Sequence, residues 1–98
     1  MFETIDGETE KIYLIRESDI FQHIRLFEEH VEIFINNDHR DLIFDLKHLK
    51  GVDSMFISTI LRFRVKLLLG GRFLRVINYN DYILKCFQLL NLEGHLLD

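Results

Sequence analysis

DLIFDLKHLKGVDSMFISTILRFRVKLLLGGRFLRVINYN, residues 41–80, decides the fold. Leu42 to Leu46 is a short run too apolar for its face to be read from alternation, which predicts a central strand. Val52-Asp53-Ser54 then makes a polar turn, and Ser54 to Leu69 repeats apolar residues at helical spacing. Gly70-Gly71 stops that helix, Phe73 to Asn78 reads as a second strand, and a last helix opens at Asn80. Strand, helix, strand and helix in this order form a β-α-β-α unit, whose crossover makes its two strands parallel. The Val52-Asp53-Ser54 turn falls on one rim of the sheet, where a polar loop can meet a partner.

Working outward, Phe2 to Ile5 and Lys11 to Arg16 read as two strands of a hairpin turned at Gly7. Ser18 or Asp19 stands where an N-cap belongs. Ile20, Phe21, Ile24, Phe27, Val31, Phe34 and Ile35 then follow at helical spacing, as one helix ended by Asn36-Asn37-Asp38. Nothing in the chain marks a domain boundary: there is no proline, repeat or low-complexity tract, so residues 1–98 read as a single domain.

The helix from Ser54 to Leu69 carries more apolar surface than a single sheet requires. Ile57, Leu61, Val65 and Leu68 form one row, and Phe56, Ile60, Phe63 and Leu67 a second. Together the rows cover roughly 200° of the circumference, where a helix lying on one sheet needs roughly 100°. Two explanations stand: neighbouring helices wrap the surplus, or Phe56 and Phe63 beside Met55 form an exposed interaction patch.

Composition narrows the function. Ninety-eight residues with 48% apolar content bury one modest core. A net charge of -4 argues against nucleic acid or an anionic membrane surface as the main partner, since both select clustered Lys and Arg. Lys47 with Lys50, and Arg62, Arg64 and Lys66, are the local basic patches; the latter run reads as a solvated strip with Arg64 sealing an apolar edge. The acidic first ten residues do not resemble a secretory signal, no apolar run is long enough to span a membrane, and the single cysteine, Cys86, reads as a packed thiol, so the expected location is the cytoplasm.

Chemistry-bearing groups are sparse. Asp45 and Asp53 both fall near the rim, where solvated or capping roles suit them better than acid-base work. His23 and His30, seven residues apart, lack the spacing of a metal site and read as surface histidines. Neither a phosphate-binding glycine loop nor a nucleophile-base pair can be assembled, so no metal, cofactor or catalytic residue is expected.

The order and spacing of Asp45-Leu46, Val52-Asp53-Ser54, Ile57, Ile60-Leu61, Gly71, Leu74, Val76, Asn78, Phe87, Leu89 and Leu92 resemble the STAS domain, the module shared by sulfate transporters and anti-sigma factor antagonists. Upstream, Arg16 occupies a place where that family often has glycine. The resemblance implies an α/β fold, a small mixed sheet with helices mainly on one face, and a function of binding rather than catalysis. In the bacterial antagonists the turn reads Asp-Ser-Ser/Thr-Gly, and its third residue is phosphorylated by a partner kinase that is also the anti-sigma factor. Here it reads Asp53-Ser54-Met55-Phe56. A thioether has no hydroxyl to take a phosphoryl group, so the usual switch cannot run at Met55. Ser54 reads as a helix-capping serine rather than a phosphorylation site.

The resemblance implies a partner-binding surface of Asp53, Ser54, Met55, Phe56, Thr59, Arg62 and Phe63, docking onto an anti-sigma factor kinase or a phosphatase. The alternative is a structural STAS subunit of a larger assembly, such as a lipid ABC transporter or a signalling scaffold. The surplus apolar helix surface is also compatible with a homodimer.

Overall fold

The computed structural model describes residues 2–90; Leu92, part of the family spacing, lies outside them. Four strands and four helices follow in the order β1 (Glu3–Asp6), β2 (Glu10–Leu14), α1 (Glu17–Phe21), α2 (Ile24–Asn37), β3 (Asp41–Asp45), α3 (Ser54–Leu69), β4 (Leu74–Ile77) and α4 (Asp81–Leu89). The sheet order is β1-β2-β3-β4: β1 and β2 are the antiparallel hairpin, and β2, β3 and β4 run parallel. β3 is an inner strand, as its apolar sequence predicts. Beside the hairpin, Arg16 pairs with Glu3 at 2.9 Å.

The register explains which face carries the core. Tyr13, Phe44 and Val76 align across β2, β3 and β4 and are all buried, forming a cluster with Phe27 and Val31 of α2, Phe56, Ile60, Phe63 and Leu67 of α3, and Ile83 and Phe87 of α4. The next row, Ile5, Ile12, Ile43 and Arg75, points to the other side, which none of the four helices covers. Alternation along the strands thus assigns one face to the helices and leaves the second without them.

The first helical segment departs from the reading as one helix. Asp19 is the third residue of α1 rather than its cap: its carboxylate accepts the Arg16 N–H at 2.9 Å, satisfying a free donor at the helix start. The helix then breaks at Gln22-His23. His23 leaves helical geometry at φ -127, ψ 33, and its N–H reaches back to the Ser18 carbonyl at 3.0 Å. Apolar spacing continues through this break, which is why periodicity alone does not reveal it.

The Gly70-Gly71 stop is built as expected. Arg72 N–H donates to the Leu67 carbonyl at 2.8 Å and Gly71 N–H to that of Leu68 at 3.0 Å, the paired bonds of a Schellman motif. Gly71 has φ +74, a left-handed conformation that costs glycine least.

The two apolar rows of α3 separate sharply. Phe56, Ile60, Phe63 and Leu67 are each 0% exposed, so Phe56 and Phe63 are core side chains and not an exposed patch. Phe56 stacks on Phe44 with centroids 6.3 Å apart, and Phe27 lies edge-on to it. Aromatic rings of β3 and α2 meet this row and consume it. The surplus is instead the other row, where Val65 is 53% and Leu68 40% exposed.

Candidate functional site at the β3-α3 rim

The turn after β3 is fixed at both ends. Asp45, buried at the end of β3, accepts the Lys47 N–H at 3.0 Å on one oxygen and the Asn78 amide at 3.1 Å on the other. Asn78 follows β4 in a left-handed conformation, φ 56, so this bond ties together the ends of the two parallel strands. Asn80 caps α4 by accepting the Ile83 N–H at 2.8 Å, and its amide donates to the Lys50 carbonyl at 2.9 Å. The rim loop is held at two points by the neighbouring β4-α4 turn, through Asn78 and Asn80.

Asp53, not Ser54, is the N-cap of α3. Its carboxylate accepts the Phe56 N–H at 2.8 Å and leaves Ser54 exposed as the first helical residue. The capping role ascribed to the serine therefore belongs to the aspartate. Asp45 and Asp53 each serve a structural bond rather than acting as an acid-base pair.

Met55 is the exposed apolar residue of this rim, at 58%. It borders a groove of 350 Å³ with Ile24, Arg25, Glu28, Glu29 and Glu32 of α2. Below it runs a polar seam. Thr59, 1% exposed, donates from Oγ1 to Glu28 Oε2 at 2.7 Å, and Arg62 donates to the same oxygen at 2.8 Å. Arg62 and Lys66 also approach Glu32 at 3.7 and 3.6 Å. Partial burial pushes the Glu28 carboxyl up, but the bonds from Thr59 and Arg62 and the charges of Arg62 and Arg25 outweigh it, so its net shift is downward.

Of the sequence-derived surface, Asp53, Ser54 and Met55 are brought together on the rim. Thr59 is buried in the seam, and Arg62 is exposed but engaged with α2. Phe56 and Phe63 lie beneath, in the core. Ile24, Arg25, Glu28, Glu29 and Glu32 complete the groove and were missed, because only the tertiary packing of α2 against α3 brings them beside Met55. No signal in the sequence pairs these two helices.

The remaining chemistry is structural. His23 marks the break between α1 and α2, whereas Nδ1 of His30 lies 2.6 Å from the Tyr13 hydroxyl. Burial, then the charges of Lys11 and the N-terminus, lower the pKa of His30. Cys86 is half-buried and unbridged. Among the described residues no cluster of three or more His, Cys, Asp or Glu could hold a metal, and no helix is long and apolar enough to cross a membrane.

Comparison with known proteins agrees with this architecture. Curated protein sequences yield no match. Among solved structures, TM1081 of Thermotoga maritima, a candidate anti-sigma factor antagonist, is similar in its solution structure with a TM-score of 0.86 at 18% identity, covering 100% of this chain and 80% of that one. Its crystal structure gives 0.82 at 18% identity, covering 100% and 86%. RsbS of Moorella thermoacetica, solved as a serine-to-glutamate variant, gives 0.83 at 15% identity, covering 99% and 85%. At these identities the likeness establishes the fold. The STAS domain family model matches residues 3–96, nearly the whole chain, and the chain belongs to the STAS domain family.

Proposed function

We propose that this chain is a non-catalytic protein-interaction module of the anti-sigma factor antagonist type, which binds its partner through the β3-α3 rim and acts by contact alone. The observation that carries this reading is Met55: a side chain 58% exposed, two residues after the Asp53 cap, where the family's phosphoacceptor hydroxyl would stand. A phosphate there would add close to two negative charges at a helix N-terminus facing the partner. A thioether offers a flexible apolar contact that no kinase can switch.

The docking surface is Asp53, Ser54 and Met55 with the adjoining groove residues Ile24, Arg25 and Glu29. Thr59 and Arg62 contribute by locking α2 against α3 through Glu28, so the groove keeps its shape without a partner. Phe56 and Phe63 support the rim from the core. The partner is a protein, an anti-sigma factor kinase or a phosphatase, met in the cytoplasm.

The test is affinity capture from the native host with the wild-type chain and Met55→Asp, alongside intact-mass measurement of the native protein. Loss of the captured partner in the variant and an unmodified native mass are expected. Equal capture by both chains, or a phosphorylated native form, would contradict the proposal.

A further inference from the structure

The second apolar row of α3 is only partly used by the fold, since Leu61 packs against the edge of the core while the rest of the row lies outside it. Ile57 and Leu61 are half-buried, and Val65 and Leu68 are exposed at 53% and 40%. Their spacing places them along one flank of the helix, a ridge about 17 Å long at 1.5 Å rise per residue. Thr59, Arg62 and Lys66, which bond to α2, occupy the opposite flank. The ridge is thus separate from the Met55 groove.

Charge identifies what fits it. Arg62, Arg64 and Lys66 are basic and α3 contains no acidic residue. Glu28 and Glu32 neutralise Arg62 and Lys66. Arg64, three residues after Leu61 and four before Leu68, sits within the ridge and has no acidic partner among the described residues. A second copy of the chain is a poor occupant: in a two-fold pairing of ridges Arg64, near the ridge midpoint, would lie close to its own counterpart, and like charges brought together oppose association.

We propose that the ridge of Ile57, Leu61, Val65 and Leu68, with Arg64 set in it, is a second docking strip for an amphipathic helix of a protein partner that carries carboxylates beside its own apolar row. Apolar contact supplies area, and the carboxylate pairs with the Arg64 guanidinium. The strip and the rim can be occupied together.

The test uses the full chain and two synthetic helical peptides with identical leucine rows, one flanked by glutamates and the other by lysines, in NMR titrations. The glutamate peptide should shift the resonances of Ile57, Leu61, Val65 and Leu68 and bind about tenfold tighter than the lysine peptide, the preference reversing in Arg64→Glu. Val65→Glu, at an exposed position, should weaken binding of the glutamate peptide without unfolding the chain. No binding, equal binding of the two peptides, or shifts confined to the Met55 rim would overturn the proposal. So would a dimer that Arg64→Glu leaves intact.

Discussion

Thr59 Oγ1 donates to Glu28 Oε2 at 2.7 Å, joining α3 to α2 across 31 residues of sequence from a position only 1% exposed. Arg62 shares the same carboxylate oxygen. Thr59→Val keeps the shape and removes the donor, so it should destabilise the chain by about 1 kcal/mol. Urea denaturation measures this. In a double-mutant cycle with Glu28→Gln the two losses should not add, because the substitutions share one bond.

Phe56 and Met55 are adjacent in sequence and opposite in role. Phe56→Ala and Phe63→Ala each open a cavity in the core and should cost about 3–5 kcal/mol, a large share of a small domain's stability. Met55→Ala removes an exposed side chain and should stay within about 0.5 kcal/mol. Thermal unfolding of the three variants checks the contrast. Similar melting temperatures for all three would place the aromatic rings outside the core.

Acid should weaken the fold in two stages. Folding lowers the pKa of His30 below its ordinary 6.5, so the unfolded chain binds the extra proton first. Stability is therefore full above pH 6.5 and declines as pH falls toward the folded value. The Glu28 carboxyl is also lower in the folded state than its ordinary 4.5, so its contribution is present above that pH and is lost below it. Urea midpoints measured across pH 3–8 should show both declines, and His30→Gln should abolish the upper one alone.

Gly71 holds φ +74 at the end of α3, with nothing within 4 Å of the position a Cβ would take. Gly71→Ala therefore meets a backbone penalty and no clash, and should cost about 1 kcal/mol. Gly70, outside the left-handed region, should tolerate the same change better. Chemical denaturation of the two variants separates backbone strain from crowding.

Much of the architecture was legible from residue 41 onward, because the pattern changes there from a short apolar run to helical spacing and back, with a glycine pair as punctuation. The turn at Asp53 was equally readable, although which residue caps the helix depended on a geometry that Asp and Ser can both adopt. The break at His23 left no trace, since Ile20, Ile24 and Phe27 keep helical spacing across it. The facing of α3 was also hidden. Its two rows are similarly apolar, and the choice is made by Phe44 and Phe27, which arrive from other elements to meet Phe56. The groove beside Met55 needed the same long-range information, because its glutamates reach the rim only through α2.

Met1 and Met55 are the chain's two methionines, which makes the central claim directly measurable. Photo-methionine incorporated into the chain in its native host places a crosslinker at those positions and nowhere else. Binding through the rim predicts a partner protein crosslinked to the peptide containing Met55, on a chain whose neighbouring hydroxyls are unmodified. A partner crosslinked at Met1 alone, or a phosphoryl group on Ser54, would contradict it.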